Sequence, residues 1–241
     1  MSVLAITHEG KSDTEKWVKD KDARYAYAYD TSSRLMSEFG FTGLPSAMLI
    51  DATGVVRWTG HPASIRESDI ESALAGALPI PMWEWPKEAT GVRKALQKQD
   101  YQKALEAAQK LDDGEQYVAA VRGVIAGRLA SLETKFEAGD FLGAYETAKV
   151  LKKVFKGLPE QDRVNEIYDK IKDDDAAQEV IKGQEDVADI AEEAAELRKK
   201  KDAEDLLDDL RKVQEKYAGT FAAEQASELA DKIRKMLPKL R

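Results

Sequence analysis

The sequence of 241 residues contains no cysteine and only two histidines, His8 and His61. Without cysteine this chain can form no disulfide, offer no thiolate to a metal and carry out no dithiol–disulfide exchange by itself. Neither histidine has a second one a helical turn away or any other pattern of metal ligands beside it, so no metal site is expected. His8 falls just beyond a strand-like run, on the side where α/β sites gather, yet reads as a loop residue. His61, in Gly60-His61-Pro62, reads as a turn residue. Long apolar runs are also missing: nothing approaches the roughly 20 residues of a membrane-crossing helix, and Met1-Ser2-Val3 leads into a strand-like run, not a signal peptide. No glycine loop of phosphate-binding type is present; Gly40, Gly43, Gly54 and Gly60 are accounted for by helix stops and turns. Glu9 and Asp30 could converge at a sheet edge, but in a chain this rich in acids such a pair does not support acid–base catalysis. No catalytic residue and no cofactor are expected from the residues present.

What is present bounds the class. Hydrophobic residues make up 43% of the chain, enough for a packed core, and the length suits one large or two modest domains. Charged residues reach 34% with a formal net charge of −8, which disfavours nucleic acid or an anionic membrane as partner. The runs Lys199-Lys200-Lys201 and Asp173-Asp174-Asp175 read as solvated helix ends or loops.

The first third mixes strand and helix signals. Residues 2–7 suit a buried strand, and Ser12-Asp13-Thr14-Glu15 looks like a capping box ahead of Trp17 and Val18. Residues 25–29 form a second strand candidate, 31–39 a helix stopped by Gly40, and 46–50 a third strand. Asp51-Ala52-Thr53-Gly54 makes a turn into residues 55–58, and a helix over 65–78 closes the part. A linker over 79–88 follows, with Trp83 and Trp85 expected to pin it onto one domain.

From residue 89 to 241 the pattern is helix after helix, at about 89–98, 101–111, 115–138, 140–156, 160–172, 176–200, 202–217 and 221–237. Asp100, Asp140 and Asp202 each stand before an apolar stripe and are expected to cap a helix. Phe141, Ala144, Tyr145, Ala148, Leu151 and Phe155 share one helical face, and Val164, Ile167, Tyr168 and Ile171 offer the partner face. Such helix pairs resemble the tetratricopeptide class of helical hairpins, although the spacing is irregular.

The segment Gly40-Phe41-Thr42-Gly43-Leu44-Pro45-Ser46-Ala47-Met48-Leu49-Ile50-Asp51, with Gly54-Val55-Val56-Arg57-Trp58 and Gly60 after it, resembles the cis-proline half of thioredoxin-like proteins. The most similar branch is the TlpA-type thiol-disulfide oxidoreductases and redoxins. The resemblance covers residues 1–78 and implies an incomplete thioredoxin-like α/β fold, followed by the all-α helical-hairpin domain over 89–241. In that family a cis proline precedes the third core strand, a place Pro45 would occupy. Thr42, Gly43, Leu44, Pro45 and Ser46 would then present backbone groups to an extended protein or peptide substrate.

The departure from the family is as informative as the likeness. The strand and helix that carry the two redox cysteines should precede Val3, and that strand would lie between the strands assigned to residues 3–6 and 46–50. Its loss exposes two inner edges. If three or four backbone groups went unpaired at about 1–3 kcal/mol each, the loss would rival a total stability of about 5–15 kcal/mol. The first domain is therefore expected to be marginal by itself, or its strands to pair differently. Two origins stay open: a longer gene product with an export signal and the cysteine motif upstream, implying an extracytoplasmic parent, or a cysteine-free relative. The first is favoured, since a start codon one residue before a core strand is a poor place to begin a domain. A rival expectation makes the chain a non-enzymatic adaptor whose helical hairpins bind a basic protein partner.

Overall fold

The computed structural model describes residues 3–41, 43–51, 55–74, 77, 80, 82–195 and 197–239, the side chains of Ser37, Trp83 and Lys239 excepted. It is mostly helical with two small sheets, a mixed α/β part joined to a helical part. The chain divides into two units, the first made of residues 1–50 and 56–74 and the second of residues 51–55 and 75–241. Thr42, the turn residues Ala52, Thr53 and Gly54, the residues Ala75, Gly76 and Leu78 of the helix expected over 65–78, and the linker residues Pro79 and Pro81 lie outside the described residues.

In the first unit β1 (Leu4–Thr7) leads to α1 (Lys11–Asp20), β2 (Ala26–Tyr29) and α2 (Arg34–Glu38). Then come β3 (Ala47–Ile50), β4 (Val56–Gly60) and α3 (Glu67–Ala73). β1 and β2 pair in parallel, Leu4 opposite Ala26 and Thr7 opposite Tyr29, as a strand–helix–strand unit requires. β3 and β4 form an antiparallel hairpin with an irregularity between Leu49 and Ile50, and α3 packs on it. The two pairs stay separate sheets.

Local chemistry explains the element ends, and corrects three of them. The expected capping box at Ser12 does not form: α1 begins at Lys11 with Gly10 as an extended N-cap and no side-chain cap, so Ser12 and Asp13 are already helical. Thr14 instead donates its hydroxyl to the Gly10 carbonyl at 3.1 Å. The helix expected over 31–39 is shorter because Asp30 caps it from a distance, its carboxylate accepting from the amides of Arg34 at 3.2 Å and Leu35 at 2.8 Å. Residues 31–33 are thereby held as a turn, with Ser33 at a φ of 54°. The helix expected over 65–78 is likewise delayed: a short 3₁₀ turn, Pro62–Ser64, precedes it, and His61 caps that turn by accepting the Ala63 amide at Nδ1.

The second unit comprises α4 (Thr90–Gln97), α5 (Tyr101–Ala108), α6 (Gly114–Glu137), α7 (Phe141–Val154), α8 (Gln161–Asp173), α9 (Asp175–Ala195), α10 (Lys200–Lys216) and α11 (Phe221–Met236). Neighbouring helices pack on one another through two apolar clusters. One runs from Trp85 to Ile181 and includes the α7 stripe and its α8 partners; the other runs from Val187 to Ile233. α9 contributes Ala177 and Ile181 to the first and Val187 and Ala194 to the second, so it joins the two. Ala144, Ala148, Val164, Ile167 and Ile171 are buried as their spacing requires, and Tyr145 stacks on Tyr168 with ring centroids 5.0 Å apart. The linker's Trp85 is buried against Tyr117 and donates its indole N–H to the Ile80 carbonyl at 3.1 Å, which pins that segment to the helical unit.

Two of the three aspartates expected to cap do so. Asp100 accepts the Lys103 amide and Asp140 accepts the Gly143 amide. Asp140 follows Gly139, whose φ of 76° closes α6 in a conformation that a side chain would strain. Asp202 does not cap. α10 starts at Lys200, two residues earlier than expected, so Asp202 lies in the first turn, where a negative charge complements the helix dipole. In the acidic run it is Asp174 that has a structural task, accepting the Ala176 and Ala177 amides at the start of α9.

Candidate functional site

The segment expected to meet a substrate is the turn that delivers the chain into β3. Gly43, Leu44 and Pro45 are exposed, Leu44 at 58% of its surface, and Ser46 is half-buried where the strand begins. The Ser46 hydroxyl donates to the Gly43 carbonyl at 2.5 Å, closing the turn across Leu44 and Pro45. The Leu44–Pro45 peptide bond is cis, the form that the resemblance implies at this place. Of the five residues expected there, four are described and contiguous, and Thr42 is outside the described residues.

None of these four side chains is ionisable, so they supply no acid or base, and the Ser46 hydroxyl is engaged with the Gly43 carbonyl. The turn's chemistry is that of exposed backbone and an apolar leucine beside a strand end, which suits an extended peptide and not a polar small molecule. The neighbouring hairpin is rigidified at its far end: Asp51 accepts the Val55 amide at 3.0 Å through its carboxylate while its own amide donates to the Val55 carbonyl at 2.9 Å.

Several other side chains weighed from the sequence have structural tasks. His8 is exposed, and next to it the Glu9 amide donates to the Thr7 hydroxyl at 3.1 Å. The Asp30 carboxylate is committed to capping α2. Among the described residues no group of three histidines or acids is placed to hold a metal ion. In the helical unit there are open grooves. One of about 330 Å³ is walled by Phe136, Phe141, Lys170, Asp173 and Asp174, but the Lys170 ammonium is held by Glu166 at 2.8 Å and Asp174 by its cap.

One buried polar residue was not foreseen. Gln184 on α9 is only 3% exposed. Its carbonyl oxygen accepts the Leu142 amide at 2.9 Å, and its NH₂ donates to Asp140 at 2.8 Å and to Gln225 at 3.3 Å. It therefore ties α9 to the start of α7 and to α11, a joining task with no substrate in it. No local signal in the sequence marks it, because its partners lie about 40 residues away on either side.

Comparison with protein-family models, with curated proteins and with solved structures finds no match to this chain. Among the described residues no helix is long and apolar enough to cross a membrane.

Proposed function

We propose that this chain is a homologue of the thioredoxin-like thiol-disulfide oxidoreductases, of the redoxin branch, and that it is redox-inactive by itself because it has no cysteine. The observation that carries the reading is the order and sense of the elements around Pro45. A parallel β1–α1–β2 unit is followed by a helix, then by the Gly43–Ser46 turn, an antiparallel hairpin and a closing helix. The separation of β1–β2 from β3–β4 further supports it, since the strand that the resemblance places between β1 and β3 is the one missing from the sequence.

In this reading the residues around Pro45, from Thr42 to Ser46, receive an extended substrate strand, and the thiol chemistry is supplied by a cysteine pair outside these residues. The reading frame immediately upstream of the Met1 codon tests it. An in-frame strand and helix with two cysteines two residues apart is the expected result. A nearby in-frame stop codon with no such motif overturns the oxidoreductase reading and leaves the helical hairpins, as a protein-binding adaptor, to carry the function. The chain itself is expected to show no dithiol-dependent reduction of insulin, and turnover of that kind would contradict the redox-inactive assignment.

A further inference from the structure

We propose that Tyr145 and Tyr168 form a site of oxidative cross-linking, at which a peroxide-charged one-electron oxidant joins α7 to α8 through a carbon–carbon bond between the two phenol rings. The two residues lie 23 positions apart in sequence, on helices that pack together. Tyr145 follows the buried Ala144 and Tyr168 follows the buried Ile167, so each ring stands at the margin of the α7–α8 packing, half-buried and still reached by solvent. That packing fixes where the rings lie. Their centroids are 5.0 Å apart with planes only 16° from parallel, and the hydroxyl oxygens are 3.2 Å apart in a hydrogen bond.

This geometry is close to what coupling requires. A phenol that loses one electron and one proton becomes a neutral phenoxyl radical, whose unpaired electron spreads onto the ring carbons on either side of the hydroxyl-bearing carbon. Two such radicals bond through one of those carbons each, and the hydrogens displaced there move to the oxygens and restore both phenols. In the product the two hydroxyls flank the new bond, so hydroxyls that already converge bring the reacting carbons together. Two tyrosines give up two electrons and two protons, and one peroxide takes up both and leaves as two waters. Lys152 places its ammonium 3.8 Å from the Tyr168 ring centre, and Lys149 lies 5.7 Å from that of Tyr145. A cation over the ring disfavours a positively charged radical, so each electron leaves together with its proton.

The chain has eight tyrosines, and their surroundings set this pair apart. Tyr101 meets Phe155 and Arg128, Tyr117 meets Trp85, and Tyr217 meets Lys216, none of which forms a phenoxyl radical. Tyr27 and Tyr29 touch, but their planes stand at 86° with centroids 6.0 Å apart, and a bond within β2 would join no two elements. Between Tyr145 and Tyr168 the bond would brace one helix against the next and close the chain between them into a loop. The inference concerns the helical unit and holds independently of the redoxin reading, so an upstream stop codon would overturn that reading and leave this one intact.

The test treats the full chain with a haem peroxidase and equimolar hydrogen peroxide, digests it with trypsin and reads the linked peptides by mass spectrometry. The expected product joins fragment 136–149 to fragment 164–170, lighter than their sum by two hydrogens and carrying the blue fluorescence of coupled phenols. Its yield is expected to exceed that of every other tyrosine pair at least ~10-fold and to be independent of chain concentration, since the partners are already in place. Tyr145→Phe and Tyr168→Phe keep the ring and remove the phenol, and each is expected to abolish the product while the tyrosines of fragment 25–34 are still oxidised. The proposal is overturned by absence of the link under conditions that couple free tyrosine, by a link that survives either substitution, or by one found only between two chains.

Discussion

Replacing Gly183 by alanine sets two opposed effects against each other, and the packing around α9 decides between them. In a helix interior the exchange of glycine for alanine is worth about 0.8–1.0 kcal/mol of stabilisation through backbone entropy. Yet a Cβ on Gly183 would lie 2.8 Å from Cδ2 of Tyr217 and 2.9 Å from its Cε2 and Cγ. Ordinary carbon contacts are about 3.5–4.0 Å, so the ring would have to retreat by roughly 0.7 Å. Tyr217 has little room to do so: it is 4% exposed, its hydroxyl accepts from Lys216 at 2.6 Å and donates to Asp186 at 3.4 Å, and its amide closes α10 on the Val213 carbonyl. Overpacking of this kind costs about 1–3 kcal/mol, which cancels or exceeds the glycine gain, so the expected net result is destabilisation by up to about 2 kcal/mol. Gly123 in α6 supplies the control, since a Cβ there meets nothing within 4 Å. Gly123→Ala is expected to stabilise by about 0.5–1 kcal/mol. Urea unfolding followed by far-ultraviolet circular dichroism gives both shifts in midpoint at unchanged slope. A Gly183→Ala chain stabilised as much as Gly123→Ala would refute the claim that Tyr217 is held in place.

Gln184→Leu removes three hydrogen bonds in a buried setting and leaves the Leu142 amide without its partner; a loss of about 2–3 kcal/mol in the same unfolding assay is expected. Asp140→Ala and Asp202→Ala, alike on paper, are expected to differ: the first loses a working cap and costs about 1–2 kcal/mol, while the second stays within about 0.5 kcal/mol. Equal losses at the two positions would contradict the cap assignments. The Glu166 carboxyl is held down at about 2, against an ordinary value of 4.5, chiefly by its hydrogen bond from Lys170 and then by that from Arg163. A lowered folded value means that its contribution is present above pH 4.5 and fades as the pH falls toward 2, so Glu166→Gln should flatten the acid side of the stability profile in that window. With Thr14 and Ala73 its only buried residues among those described, the first unit should exchange its β1 and β2 amides well before those of α7 and α8. Equal protection factors would show an apolar core there that the structure does not contain.

Much of the helical unit was legible in the sequence because its signals are local. The stripe from Phe141 to Phe155, the partner face at Val164, Ile167 and Ile171, and the aspartates at 100 and 140 act within one or two helical turns, and the structure buries or uses them there. The turn from Gly43 to Ser46 was likewise readable as a glycine–proline entry into a strand, and it is found exposed at the start of β3. Where local signals compete, the sequence was a poorer guide. Ser12 and Asp202 had the right chemistry to cap, but helix formation began one or two residues earlier and took them inside. Tertiary structure alone decided the rest. Gln184 is set against residues 42 and 44 positions before it and 41 after it, and Tyr217 lies over Gly183 from another helix. Whether β1 and β3 would find new partners or stay in separate sheets was beyond periodicity as well. Capping and amphipathic spacing are short-range properties of the chain, whereas strand partnership and the pairing of a buried amide depend on which distant segments the whole fold brings together.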